Sequence, residues 1–168
     1  MYFIQHYDSP LGGIMLASDG EALTGLWFDG QKHFGSTLTG QCAAKALPVF
    51  DLARNWLDIY FDGLQPGFTP PLRPGGSAFR KEVLEILLTI PYGTTMTYGE
   101  VADRMAERKG RSKSARAVGG AVGHNPISLI IPCHRVVGSD GRLTGYAGGI
   151  WRKVRLIELE LPILQKKL

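Results

Sequence analysis

The chain has only two cysteines, Cys42 and Cys133, in 168 residues. That is too few for a disulfide framework or a cysteine-rich zinc site, and it reads as a reduced, intracellular protein. No apolar run approaches the roughly 20 residues that span a bilayer, so no membrane partner is expected. The N-terminus, Met1-Tyr2-Phe3-Ile4-Gln5, lacks a basic segment followed by an apolar stretch and does not read as a signal peptide. Repeats and low-complexity tracts are missing as well. With 44% hydrophobic and 20% charged residues, the composition excludes disorder, collagen and coiled coil. What remains is a globular chain of one domain or two small ones.

Charge is unevenly spread. Residues 1–74 carry four Lys/Arg against seven Asp/Glu, whereas residues 75–168 carry fifteen against eight. The changeover coincides with a stretch, residues 63–76, that holds four prolines and four glycines. This places a linker there, with an N-terminal domain at 1–74 and a C-terminal domain at 75–168. A basic C-terminal half suits a polyanion, and a solvated basic face explains it equally well.

Ile14-Met15-Leu16-Ala17 and Leu23–Phe28 are short apolar runs between Gly- and Asp-rich turns, which predicts strands. Residues 31–45 look polar and irregular. Val49, Phe50, Ala53, Trp56, Leu57, Tyr60 and Phe61 fall at helical spacing, so an amphipathic helix is expected over ~47–62. A second helix follows through Phe79, Val83, Ile86, Leu87 and Ile90. Thr97 and Glu100 have the spacing of a capping box, opening a short helix through Val101 and Met105. A basic turn over residues 107–113 leads to a third helix, Ser114–Val122. Helix, turn, helix is the pattern, although this turn exceeds the usual 3–4 residues. Residues 127–131 read as a buried extended run, and Ile150, Val154, Ile157 and Leu161 as the apolar face of a last helix.

Two places invite chemistry. In Ser114-Ala115-Arg116-Ala117-Val118-Gly119-Gly120-Ala121-Val122, two adjacent glycines cost a helix about 1 kcal/mol each relative to alanine. Something comes close to this helix: a packed neighbour, or a minor groove about 6 Å wide that only small side chains enter. In the second case Arg116 points into the DNA and fills the gap left by an extruded base. The other place is Cys133, set between Pro132 and the pair His134-Arg135. An imidazole that accepts protons and a nearby cation favour a thiolate nucleophile over an inert buried thiol. A carboxylate to orient the imidazole is expected on the last helix; spacing alone does not separate Glu160 from Glu158.

Pro132-Cys133-His134-Arg135-Val136, with Asn125-Pro126 before it and Gly145-Tyr146-Ala147-Gly148-Gly149 after it, resembles the active-site signature of the O6-alkylguanine-DNA alkyltransferases. Arg116-Ala117-Val118-Gly119-Gly120 resembles that family's recognition helix. The resemblance is close over ~77–162 and looser before that, through Asp8-Ser9-Pro10-Leu11-Gly12.

The resemblance implies an α+β fold: a small N-terminal α/β domain with an antiparallel sheet, then a mainly helical, winged-helix-like domain. It implies that damaged guanine is flipped from duplex DNA and that its O6-alkyl group passes irreversibly to Cys133. His134 matches the residue taking the thiol proton through a water, Glu160 the carboxylate orienting it, and Asn125 the hinge. Tyr98 matches the tyrosine that crowds the target phosphate and helps protonate the leaving guanine. Arg116 matches the inserted arginine, on a helix whose Ala115, Ala117, Gly119 and Gly120 are expected at the DNA. The segment between Tyr98 and Arg116, longer than in typical relatives, either adds phosphate contacts through Arg111 and Lys113 or merely lengthens an exposed turn, and Arg135 is a further expected DNA contact. Val136, Tyr146 and Ala147 match the base pocket.

No cofactor is implied, and the expected partner is double-stranded DNA containing O6-alkylguanine, bound by a monomer in the cytoplasm (the nucleus in a eukaryote). Some members hold a zinc through N-terminal cysteines and histidines; Cys42, His6 and His33 are too sparse for one here. Cys42 is then a structural residue. Ser128 stands where some relatives carry a pocket-lining proline. Three competing readings remain: a non-catalytic binder of alkylated DNA, a DNA-binding regulator, and a cysteine hydrolase.

Overall fold

The computed structural model describes residues 1–109 and 114–161. The chain forms two compact units, Met1–Gly75 with Pro126–Ile130, and Gly76–Asn125 with Ile131–Leu168.

The first unit is a four-stranded sheet with one helix. Strands β1 (Tyr2–Ser9), β2 (Gly12–Ser18) and β3 (Leu23–Phe28) form an antiparallel meander. β4 (Cys42–Ala44) lies within the stretch expected to be irregular and pairs in parallel with β1, giving the order β3-β2-β1-β4. Three residues without apolar alternation leave no periodic signal. Cys42 is exposed on this edge strand, so it contributes no buried packing. Every residue of β3 is buried, as a strand covered on both faces requires. Helix α1 (Pro48–Phe61) opens with proline at its first position and buries Val49, Phe50, Ala53, Trp56, Leu57 and Tyr60, the face that periodicity predicts.

Residues 126–130 complete this unit. Leu26 N–H donates to Pro126 O at 2.9 Å, and Ser128 N–H donates to Leu26 O at 3.0 Å. The run 127–131 is buried but not extended: Leu129 takes a φ of 70°, in the left-handed region that non-glycine residues seldom adopt. Ser128 is buried here, 2% exposed.

The second unit is mainly helical. Helix α2 (Ala78–Leu87) is capped by Ser77, whose hydroxyl accepts from Arg80 N–H. A short strand β5 (Met96–Thr97) leads into α3 (Tyr98–Lys109). The capping box is present: Glu100 N–H donates to Thr97 Oγ1 at 3.0 Å and Thr97 N–H to Glu100 Oε1 at 3.4 Å. Glu107 and Arg108, expected in the turn, continue α3, and Arg108 pairs with Glu85 of α2 at 3.6 Å. Helix α4 (Ala115–Gly123) starts at Ser114, whose hydroxyl accepts from Ala117 N–H. α2, α3 and α4 pack on one another, the helix-turn-helix arrangement. A single 3-10 turn, Cys133–Arg135, then gives way to β6 (Val136–Val137), parallel to β5, and α5 (Ile150–Glu160) closes the described chain.

Helix α5 corrects one expectation. Ile150 and Leu161 are exposed, and the buried face is Lys153, Leu156 and Glu160. These lie three and seven residues apart, on one side of the helix. Its inward face therefore carries two ionisable groups, which burial tolerates only with partners.

Candidate active site

The site is assembled in the second unit around the 3-10 turn that carries Cys133, His134 and Arg135, all buried. Asn125, just past the end of α4, donates from Nδ2 to Ile131 O at 2.9 Å and so ties that helix to the segment that leads into the cysteine. His134 is fully buried, and its Nε2 lies 2.5 Å from Glu160 Oε2. Glu160, 3% exposed, is the carboxylate of the pair that spacing left open; Glu158 is exposed.

Arg135 and Gly93 bind Glu160 as well. Arg135 Nε donates to its Oε1 at 2.7 Å and Nη2 to its Oε2 at 3.2 Å. Gly93 N–H donates to Oε1 at 3.1 Å. Gly93 holds a φ of 80°, and a Cβ there would stand 3.0 Å from Glu160 O, so both conformation and space demand glycine. Burial would raise the Glu160 pKa, but the hydrogen bonds and charges of His134 and Arg135 overcome it and hold the carboxyl at about 2. Burial pushes the His134 pKa down, against the pull of Glu160 and with the repulsion of Arg135 and Lys153. At neutral pH the site therefore holds a carboxylate and a neutral imidazole, with the Nε2 proton directed at Glu160.

Arg135 differs from both of its expected roles. It is 8% exposed, donates to Glu160 and to Ile90 O at 2.8 Å, and stacks 5.6 Å from the Tyr92 ring centroid. It is thus a strut between α5 and the end of α2, not a surface DNA contact. Nor does it act as the cation on the thiol. That place belongs to Lys153, which sequence reasoning missed: it is fully buried and its charge favours the Cys133 thiolate. Cys133 is 4% exposed, and burial pushes its thiol up, contrary to the expected activation. Hydrogen bonds from the Asn125 side chain, the Lys153 charge and the Tyr146 hydroxyl act in the opposite direction without cancelling it.

The residues expected in the pocket and on the groove face differ in exposure. Val136 is fully buried in β6; Tyr146 and Ala147 are half-buried in the loop before α5. Tyr98, at the start of α3, lies 3.4 Å through its hydroxyl from Thr144 Oγ1. On α4, Val118, Ala121 and Val122 are buried, whereas Ala115, Arg116, Ala117 and Gly120 are exposed. Gly119 is half-buried, and a Cβ there would only touch the Tyr98 ring at 3.8 Å; at Gly120 it would meet nothing within 4 Å. Among the described residues, no packed neighbour accounts for Gly120, and the small-residue face with its one arginine is open. Arg111 and Lys113 lie outside the described residues. Among the described residues, no three His, Cys, Asp or Glu side chains are grouped to hold a metal ion, and no helix is long and apolar enough to cross a membrane.

Two family descriptions match nearly the whole chain. "6-O-methylguanine DNA methyltransferase, ribonuclease-like domain" matches residues 3–74, and "6-O-methylguanine DNA methyltransferase, DNA binding domain" matches residues 78–161. Methylated-DNA--protein-cysteine methyltransferases are similar: that of Haemophilus influenzae is 40% identical, covering 98% of this chain and 89% of the relative. That of Mycobacterium bovis is 46% identical, covering 92% of each chain. Among solved structures, Mycobacterium tuberculosis OGT in complex with DNA superposes with a TM-score of 0.81 at 43% identity, covering 96% of this chain and 95% of that one.

Proposed function

This chain belongs to the 6-O-methylguanine DNA methyltransferase family, and from that membership we propose that it repairs duplex DNA by moving the O6-alkyl group of damaged guanine onto Cys133. One observation carries the assignment of roles: the side chains of Cys133, His134, Glu160 and Asn125 converge on a single buried turn.

The chemistry runs as follows. With Nε2 committed to Glu160, His134 takes the thiol proton on Nδ1 through a water. The thiolate sulfur attacks the alkyl carbon, a carbon–sulfur bond forms, and the carbon–O6 bond breaks with its electron pair leaving on guanine. Tyr98, at the mouth of α3, serves the leaving base with a proton. The product is a thioether with no hydrolytic exit, so each molecule reacts once. Alkyl transfer here needs only a soft nucleophile and a protonated leaving group. The protein acts as a monomer where the genome lies.

A buried thiol meets its target only if the base leaves the helix stack. α4 supplies the tool: an open face of Ala115, Ala117, Gly119 and Gly120 that fits the narrow groove, with Arg116 to occupy the vacated stack. Incubation with a duplex containing O6-methylguanine, followed by intact mass, tests the reading. A gain of one methyl group per chain supports it. Tight binding with no mass change favours a non-catalytic binder or regulator, and repeated turnover on an ester favours a hydrolase.

Two variants probe the groove face. Arg116→Ala is expected to slow repair in duplex by about tenfold or more, the loss of one stabilising contact of roughly 1.4 kcal/mol, while reaction with free O6-methylguanine stays near wild type. Equal losses on both substrates would remove the inserted role. Gly120→Ala is expected to raise stability by about 1 kcal/mol, because a methyl there meets nothing within 4 Å among the described residues and the helix gains propensity. The same methyl should weaken duplex affinity; thermal melting and a DNA titration read the two effects separately.

A further inference from the structure

We propose that Lys153 is a positioning residue for alkyl transfer: its buried ammonium ties the Thr144–Gly145 backbone into the pocket wall and gives the Cys133 thiolate its counter-charge. This rests on the alkyl-transfer reading above. Lysine is almost never fully buried without partners, yet Lys153 has no exposed surface. Its Nζ donates to Thr144 O at 3.0 Å and to Gly145 O at 3.3 Å. Two neutral carbonyls satisfy hydrogen bonds but leave the charge unmatched.

The charged and titratable groups around it divide clearly. On the 3-10 turn, His134 is a neutral ring whose protonation Lys153 opposes, and the Arg135 cation is turned to Glu160 and Ile90. Glu160 sits on the same helix two turns along, about 10 Å by helical rise, and is occupied by His134, Arg135 and Gly93. Tyr146, on the loop that Lys153 holds, turns its hydroxyl to Cys133, and Tyr98 of α3 is bonded to Thr144. Among the described residues, the anion left to match Lys153 is the Cys133 thiolate, on the turn against which α5 packs. Burial lowers the lysine's pKa and raises the cysteine's, and each is drawn back by the other. The pair therefore stabilises its charged form mutually, in the place that sequence order had given to Arg135.

The mechanical part is as direct. Thr144 is held on two sides, its carbonyl by Lys153 and its hydroxyl by Tyr98. One residue later the loop presents Tyr146 and Ala147 to the pocket. Loss of the Nζ contacts would release the pocket wall and the leaving-group tyrosine together.

Lys153→Gln separates charge from tether, since the amide still donates to a carbonyl. Single-turnover methyl transfer from an O6-methylguanine duplex is measured across pH for both proteins. The variant is expected to react about tenfold more slowly at neutral pH, with its rate–pH midpoint about one unit higher, because one unit is tenfold in thiolate. A coincident profile, or a slower rate with an unmoved midpoint, overturns the proposal. Should the variant not fold, wild-type protein labelled at lysine Nζ and Cε gives the same answer by NMR. The Lys153 titration midpoint is expected to fall once Cys133 carries a methyl group, and an unchanged midpoint overturns the proposal. Failure of wild-type protein to gain a methyl group would instead sink the functional reading itself.

Discussion

Replacing Cys133 with alanine is expected to abolish the methyl gain on O6-methylguanine duplex completely, while the variant still shifts the same duplex in a binding assay. The sulfur is the only atom lost, and it makes no part of the open α4 face proposed to meet DNA. His134, Glu160 and Arg135 keep their mutual bonds, so the fold around the turn persists. Intact mass after incubation with excess duplex reads the first effect, and a mobility shift the second. A methyl gain retained by the variant would move the acceptor elsewhere. Cys42, the exposed thiol on β4, would then be the next to replace.

The second large effect concerns Glu160 and acid. Its folded pKa lies at about 2, against 4.5 for the ordinary group, so its stabilisation is present above about pH 4.5 and is lost as pH falls through 2. The shift corresponds to about 3 kcal/mol, and removing one member of a buried ion pair costs about 3–5 kcal/mol in general. Glu160→Gln should therefore lower neutral-pH stability by about 3–5 kcal/mol, since Arg135 is left buried without an anion. His134 adds to acid sensitivity in the same direction, because burial keeps its ring neutral and protonation must break that state. Urea unfolding of both proteins between pH 7 and pH 2 checks this. The gap between them should narrow with acidification; a constant gap would show that Glu160 is not held ionised by its neighbours.

Much of this was legible from local pattern. Apolar spacing at Val49, Phe50, Ala53, Trp56, Leu57 and Tyr60 gave α1 its buried face, and Thr97 with Glu100 marked the start of α3. The resemblance carried by Pro132–Val136 pointed to Cys133, which the structure sets on one buried turn with His134. What escaped was decided by partners distant in sequence. The rule that apolar residues face inward selected Ile150, Val154, Ile157 and Leu161 on the last helix. The helix instead turns Lys153 and Glu160 inward, because Thr144, Gly145, His134 and Arg135 wait there to bind them. Arg135 sits beside Cys133 in sequence and was assigned to it, yet its guanidinium reaches back to Glu160 and Ile90. Leu129 breaks a run of apolar β-formers through a left-handed backbone that no composition announces.

The five residues from Pro126 to Ile130 carry a lesson about heredity. They are encoded between Asn125 and Ile131, in the C-terminal half of the chain, yet they hydrogen-bond to Leu26 and belong to the unit that holds the four-stranded sheet. A genetic crossover at the Pro- and Gly-rich linker would hand each parent's β3 a foreign set of these residues. The halves of such a gene are bound to vary together, and a chimaera spliced there must carry the small insert along with its sheet.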